Sequence, residues 1–200
     1  MAKLILASAS VRRREILSHI GLDFTAITAD VDEARGIPDT PDKIVEELSL
    51  RKANAILSHS DYSTGDIIIG SDTIVYHNKS ILTKPIDKDD AVRMLKELSG
   101  SCHQVYSGLC VTDGKKVVCT HAMTSVKMRE ISEDEIAAYV NSLEPLDKAG
   151  AYGIQDLGGI FVERIEGDYY NVVGLPLEKL CVILDRDFGY NVLEKRTDTK

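Results

Sequence analysis

The sequence has no Cys-x-x-Cys pair, no apolar run long enough to cross a bilayer, no excess of basic residues and no glycine-rich nucleotide fingerprint, and each absence removes a class of function. Its four cysteines, Cys102, Cys110, Cys119 and Cys181, sit in apolar or strand-like settings. That pattern predicts reduced, packed thiols and gives neither a zinc site nor a nucleophilic cysteine. No stretch reaches the roughly 18 apolar residues of a membrane span. The segment ahead of Arg12 is too short for the apolar core of a signal peptide, which predicts a cytoplasmic protein. With 24 Lys and Arg against 32 Asp and Glu the formal net charge is -8. A nucleic-acid polymer or an anionic membrane surface would need a broad basic field, so neither is an expected partner. The five histidines, His19, His59, His77, His103 and His121, pair with no acid at a useful spacing and read as structural or surface residues. There is no internal repeat, linker or low-complexity segment. The 200 residues predict one domain over 1–200, with room for two lobes around a cleft and a tail frayed from about Glu194.

What the chain does have is a set of charges in costly places. Lys3 to Ala7 reads as a short buried strand, and Arg12 to Ile20 as a helix with Ile16, Leu17 and Ile20 at helical spacing. Between them stand Ser8, Ser10, Arg12, Arg13 and Arg14. A helix start carries unpaired N–H groups and partial positive charge, so arginines there oppose the dipole. Hydroxyls, free N–H groups and guanidinium forks at a strand-to-helix turn suit a phosphate. A solvated surface cluster is the alternative.

Two further anomalies follow. Thr40 and Pro41 open a helix to about Leu57 whose apolar line, Ile44, Leu48 and Ile56, is interrupted by Lys52. An ammonium in that stripe either faces a polar cleft or snorkels at its edge. Asp66 to Tyr76 is an apolar strand with Asp72 at its middle and Gly70 two residues before it on the same face, where a missing side chain leaves room for a ligand. The alternative for Asp72 is the cap of a local turn.

The rest alternates strands and helices. A turn at Asn78 and Lys79 and a short strand, Ser80 to Thr83, lead through Lys84 and Pro85 to a helix from about Asp87 to Gly100. Strands His103 to Val111 and Lys116 to Met128 flank a hairpin turn at Asp113 and Gly114. Ser132 and Glu135 form a capping box for a helix through Leu143. In Glu144 to Gln155, two glycines flank Tyr152 and Gln155 follows; small residues admit a flat ligand, Tyr offers a stacking face and Gln both donor and acceptor. An ordered loop would read the same. Ile160 to Ile165 is a strand, and Gly174 to Pro176 opens a last helix.

Collected, Ser8, Ser10, Arg12, Arg13, Lys52 and Lys84 form a set of anion donors, against Asp72 and the acidic turn Asp30, Asp32 and Glu33. Cations for a phosphate chain beside carboxylates for a metal is the layout of phosphoryl-transfer enzymes. Oxygen ligands suit magnesium or manganese rather than zinc. The absence of a P-loop and of a dinucleotide-binding glycine pattern sets those two nucleotide folds aside.

Ser8 to Arg13, Gly70 to Val75, Lys84 with Pro85, Leu98 to Gly100 with His103, and the block Glu144 to Gln155 followed by Gly174 to Pro176 resemble, in order, the Maf family of nucleoside triphosphate pyrophosphatases. The resemblance covers Leu4 to about Leu184. It implies an α/β fold related to inosine triphosphatase, an elongated mixed β-sheet flanked by helices with a cleft between two lobes, and a frequent homodimer. It also implies hydrolysis of a nucleoside triphosphate to the monophosphate and pyrophosphate with a divalent metal. By position, Asp72 matches the proton acceptor, Arg12, Thr73 and Gln155 the specificity positions, and Glu33, Lys52 and Lys84 polar active-site positions, with Glu33 and Asp72 as metal ligands. The Lys148 to Gln155 form is similar to the branch acting on dTTP and UTP rather than 7-methyl-GTP. Val11 and Ser71 depart from the commoner Pro and Ala without removing a reacting group. Two alternatives follow from the same resemblance: a non-catalytic nucleotide-binding regulator of septum formation, and a pyrophosphatase for modified purine triphosphates.

Overall fold

The computed structural model describes residues 2–33, 36 and 38–195. Its centre is a mixed seven-stranded sheet flanked by helices. Strand β1 (Leu4–Ala7) is apolar and fully buried, because it lies between β2 (Phe24–Ile27) and β3 (Ile67–His77) and runs parallel to both. A strand covered on both faces needs no polar alternation. The sheet order is β2-β1-β3-β5-β6-β7, and β4 (Ser80–Leu82) pairs antiparallel with the end of β3 through the turn at Asn78 and Lys79. Both turn residues have positive φ, 46° and 63°, which matches the twist a tight hairpin requires. Strands β5 (Cys102–Thr112) and β6 (Val117–Met128) follow, and β7 (Val162–Glu166) pairs antiparallel with β6.

The helices are α1 (Val11–His19), α2 (Pro41–Ile56), α3 (Lys88–Leu98), α4 (Glu133–Asn141), α5 (Tyr169–Val173), α6 (Leu177–Phe188) and α7 (Val192–Lys195). The capping box is formed as expected: the Ser132 hydroxyl accepts from the Glu135 backbone N–H, and the Glu135 carboxylate accepts from the Ser132 backbone N–H. Strand β2 and helix α5 carry no clear sequence signal, being short and partly exposed. The strand expected from Ile160 starts at Val162, after a 3₁₀ turn over Leu157–Phe161. Of the tail expected to fray, Glu194 and Lys195 are helical and 196–200 lie outside the described residues.

The chain divides into two compact units. The first comprises the residues up to Asp72, Ser107–Ala122 and the stretch from Gly174; the second comprises Thr73–Tyr106 and Met123–Val173. One core of the first unit gathers Ile5, Ala7, Ile27, Ala53, Ile56, Ile68 and Cys110. The core of the second centres on α3, α4 and Phe161, with Val75, Val105 and Tyr152 against them.

Two glycines set the height of α2 in the first unit. A Cβ on Gly70 would collide with the Ser49 carbonyl oxygen and lie 2.9 Å from the Ala53 nitrogen, and one on Gly108 would collide with the Val45 carbonyl. The side chain missing at Gly70 therefore admits a helix backbone, which corrects the expectation that it makes room for a ligand.

The cysteines need a second correction. Cys110 and Cys119 form a disulfide with their Cα atoms 4.1 Å apart, while Cys102 and Cys181 are free thiols. The β5–β6 turn closes with the Asp113 N–H donating to the Lys116 carbonyl. Counting back from that pair places Cys110 directly opposite Cys119, and cross-strand neighbours are close enough to bridge.

Candidate active site

In the first unit the start of α1 gathers hydroxyls and guanidinium groups without acids. Ser10 caps the helix by accepting from the Arg13 backbone N–H, and no acidic residue stands in the first turn. Arg13 is buried. Its Nε donates to the Gly174 carbonyl at 2.7 Å and its Nη1 to Ser8 Oγ at 3.1 Å. The same Gly174 oxygen accepts from Ser71 Oγ at 3.1 Å. Burial lowers the Arg13 pKa most; the Asp72 carboxylate opposes that, Arg12 adds to it and Glu33 opposes it. Arg13 thus ties the helix start to the entry of α6 and lends its charge to the site from a fixed position. Arg12 and Ser10 are partly exposed beside it, whereas Arg14 points to solvent.

The second group of charges meets on Lys52. Its Nζ lies 2.5 Å from Asp72 Oδ1 and 2.7 Å from Glu33 Oε1, with the Lys52 and Asp72 side chains 13% and 11% exposed and Glu33 at 60%. The close approach of α2 at Gly70 delivers this contact, since Lys52 lies between Ser49 and Ala53 on the turn that rests there. Lys52 is therefore no snorkelling edge residue, and Asp72 belongs to β3 rather than to a turn. The Lys52–Asp72 pair is largely buried, and such a pair is costly to assemble and says little for stability, whereas Glu33 joins it from the solvent side. One ammonium between two carboxylates leaves a net negative charge on the trio. The neighbouring Arg51 grips the loop that carries Glu33, its Nη1 on the Asp32 carbonyl at 3.0 Å and its Nη2 on the Gly36 carbonyl at 3.1 Å. Its fork geometry had no periodicity to announce it.

Thr73, Lys84 and Gln155 belong to the second unit. Thr73 is partly buried on β3; Lys84 and Gln155 are exposed. The Gly150 N–H donates to the Thr83 carbonyl at 3.1 Å, which ties the segment before Lys84 to the Ala149–Gln155 stretch. Gln155 sits in a turn closed by the Asp156 N–H on the Gly153 carbonyl.

Tyr152 is not the stacking face that the sequence suggests. It is buried, its ring lies edge-on to His103, and its hydroxyl is 2.8 Å from His103 Nε2. The flanking glycines likewise serve packing: a Cβ on Gly150 would press on Val75, and one on Gly153 on the stem of Lys148. Burial, helped by nearby His77, pushes the His103 imidazole down to about 3, and burial pushes the Tyr152 phenol up. On the far side, the Tyr139 hydroxyl donates to Glu144 Oε1 at 2.8 Å and accepts from the Gly153 N–H at 3.3 Å.

Among the described residues no three His, Cys, Asp or Glu side chains cluster as a metal site. The two carboxylates on Lys52 are the donors that come together, and two carboxylates completed by phosphate oxygens and water are a fit for magnesium or manganese, which seldom take an all-protein cage. No helix among the described residues is long and apolar enough to cross a membrane.

Hydroxyls and guanidinium groups at a strand-to-helix turn, with a lysine-bridged carboxylate pair in the same unit, are an arrangement suited to phosphoryl chemistry. The sequence model described as Maf-like protein matches residues 3–187. The chain belongs to the Maf family. A protein of Acetivibrio thermocellus named dTTP/UTP pyrophosphatase is 46% identical over 201 residues, covering 98% of this chain and 100% of its own length. Proteins of the same name from Alkaliphilus metalliredigens (47% identity, 96% and 100% coverage) and Bacillus thuringiensis subsp. konkukian (48%, 90% and 93%) are similar to this Maf chain to the same degree. Among solved structures, the Staphylococcus aureus Ham1 protein aligns with a TM-score of 0.41 and 14% identity over 63% of this chain and 71% of its own.

Proposed function

We propose that this Maf-family chain hydrolyses dTTP and UTP to the nucleoside monophosphate and pyrophosphate. The observation that carries the reading is the Glu33–Lys52–Asp72 trio, held in the same unit as the Arg13-braced start of α1. The names of relatives 46–48% identical over nearly the whole chain support the substrate.

In this reading Asp72 accepts the proton of the attacking water, and the Lys52 ammonium orients its carboxylate. A positioned base of this kind contributes about a hundred- to ten-thousandfold in rate. Ser8, Ser10, Arg12 and Lys84 are the phosphate donors, Arg13 braces the helix start and contributes its charge, and Arg12 with Thr73 and Gln155 governs the choice of substrate. Glu33 and Asp72 would hold the divalent metal. When bound, such an ion polarises a phosphoryl oxygen and acidifies its water. A Gln amide complements the O4 acceptor and N3 donor of uracil and thymine, and cytosine presents a different pattern at the same edge. A nucleoside triphosphate substrate also agrees with a cytoplasmic location.

The test is a panel of dTTP, UTP, CTP, 7-methyl-GTP and inosine triphosphate assayed for pyrophosphate with magnesium, repeated on Asp72→Asn. Preference for dTTP and UTP, with turnover lost in the variant, is expected. Purine preference overturns the substrate, and a wild-type protein that binds these nucleotides without releasing pyrophosphate is the non-catalytic regulator instead.

A further inference from the structure

His103 and Tyr152 form a buried polar pair that no step of hydrolysis uses. His103, on β5, is 2% exposed and Tyr152 5%. If Tyr152 donates to His103 Nε2, the phenol is satisfied and a single ring N–H, on Nδ1, stays without a partner among the described residues. The opposite polarity would strand two groups, the phenol hydrogen and the Nδ1 lone pair, and buried polar groups avoid that. Tyr152 is therefore the donor.

The residues ahead of Tyr152 explain why such an anchor is present. Gly150 and Ala151 are both left-handed, at φ 70° and 60°. The conformation is natural for glycine but strained for alanine, and it persists only where its surroundings over-determine it. On one side of the left-handed pair the Ala151 N–H bonds the Lys148 carbonyl and the Gly150 N–H the Thr83 carbonyl; on the other, Tyr152 reaches His103. Three residues after Tyr152 comes Gln155, in the turn whose first leg is fixed by Tyr139 at the Gly153 N–H.

We propose that His103 is a positioning residue for base choice: by accepting the Tyr152 hydroxyl it holds the Ala149–Gln155 segment, with its left-handed Ala151, in the arrangement that presents Gln155 to the substrate. The inference rests on Gln155 as the base-selecting residue. It separates His103 from a mere core residue, because a core residue would affect all nucleotides alike.

The experiment measures kcat and KM for dTTP, UTP and CTP, with melting temperatures, in the wild-type protein, Tyr152→Phe, His103→Leu and the double variant. The wild-type preference for dTTP over CTP should fall about five- to tenfold in Tyr152→Phe, the worth of one hydrogen bond, through a raised KM for dTTP. The double variant should lose little more than either single one, because the two side chains act as a unit. Equal losses on all three nucleotides, or an unchanged ratio, overturn the inference. Should His103→Leu not fold, Tyr152→Phe, which deletes one oxygen, decides alone. A wild-type protein without preference for dTTP and UTP fails earlier, on the base reading itself, and is recognised before any variant is made.

Discussion

Gly70→Ala tests whether the docking of α2 holds Lys52 against Asp72. The added methyl would collide with the Ser49 carbonyl oxygen and stand 2.9 Å from the Ala53 nitrogen and 3.0 Å from its Cβ. Two of these three atoms are helix backbone, so no rotamer change relieves them. Carbon needs roughly 3.5 Å, so the turn of α2 over β3 must lift by about 1 Å. Lys52 lies on that turn and moves with it, away from contacts of 2.5 Å to Asp72 and 2.7 Å to Glu33. Overpacking of this kind costs about 1–3 kcal/mol. For a chain of this length each kcal/mol lowers the melting temperature by about 2–4 °C. Misplacing a catalytic group by that distance costs about a hundredfold in rate. The assays are thermal melting and pyrophosphate release per folded molecule. Gly189→Ala serves as the control: Gly189 caps α6 at φ 62° with no heavy atom within 4 Å of an added Cβ, so alanine there is strained and costs stability without touching the site. A Gly70→Ala protein that melts lower but turns over within about twofold of wild type would refute the link between helix docking and Lys52. An unchanged melting temperature would refute the docking itself.

Two further outcomes are expected. Thiol titration of the unfolded, unreduced protein should find two reactive cysteines, Cys102 and Cys181, and four after reduction; four at once would remove the Cys110–Cys119 bridge. His103 should make folding sensitive to acid. Its imidazole titrates near 6.5 when unfolded and is held down to about 3 when folded, so between those values the unfolded chain binds a proton that the native state does not, and stability declines as pH falls through that window. At pH 5 the loss attributable to His103 is on the order of 2 kcal/mol relative to neutral pH. Denaturant unfolding at pH 7 and pH 5 should show that loss in the wild-type protein and its absence in His103→Gln. Parallel pH profiles would refute the assignment.

What the sequence made legible was charge in expensive places. Asp72 inside an apolar strand, Lys52 inside an apolar stripe and arginines at a helix start each cost free energy unless paired. The first two meet one another, and Arg13 is buried at the head of α1. Periodicity and capping gave α2, α3, α4 and α6 for the same reason, since their signals are local. Partners distant in sequence were not legible. Arg13 looks like a phosphate arm, yet two of its donor groups are engaged by Ser8 and by Gly174, the latter 161 positions away, and no spacing rule reaches that far. Gly70 shows the limit most clearly: a missing side chain states that something approaches without saying what, and here a helix backbone takes the place reserved for a ligand. The disulfide is a different case, because the hairpin turn at Asp113 and Gly114 is legible in the sequence. Its register places Cys110 across from Cys119, so the bridge follows from strand pairing rather than from the spacing of cysteines along the chain. Tyr152 and His103 combine both limits. Each residue stands inside a motif legible in the sequence, but only the fold reveals that the tyrosine faces inward, that the histidine receives it, and that Ala151 beside it is held in a left-handed conformation against its preference.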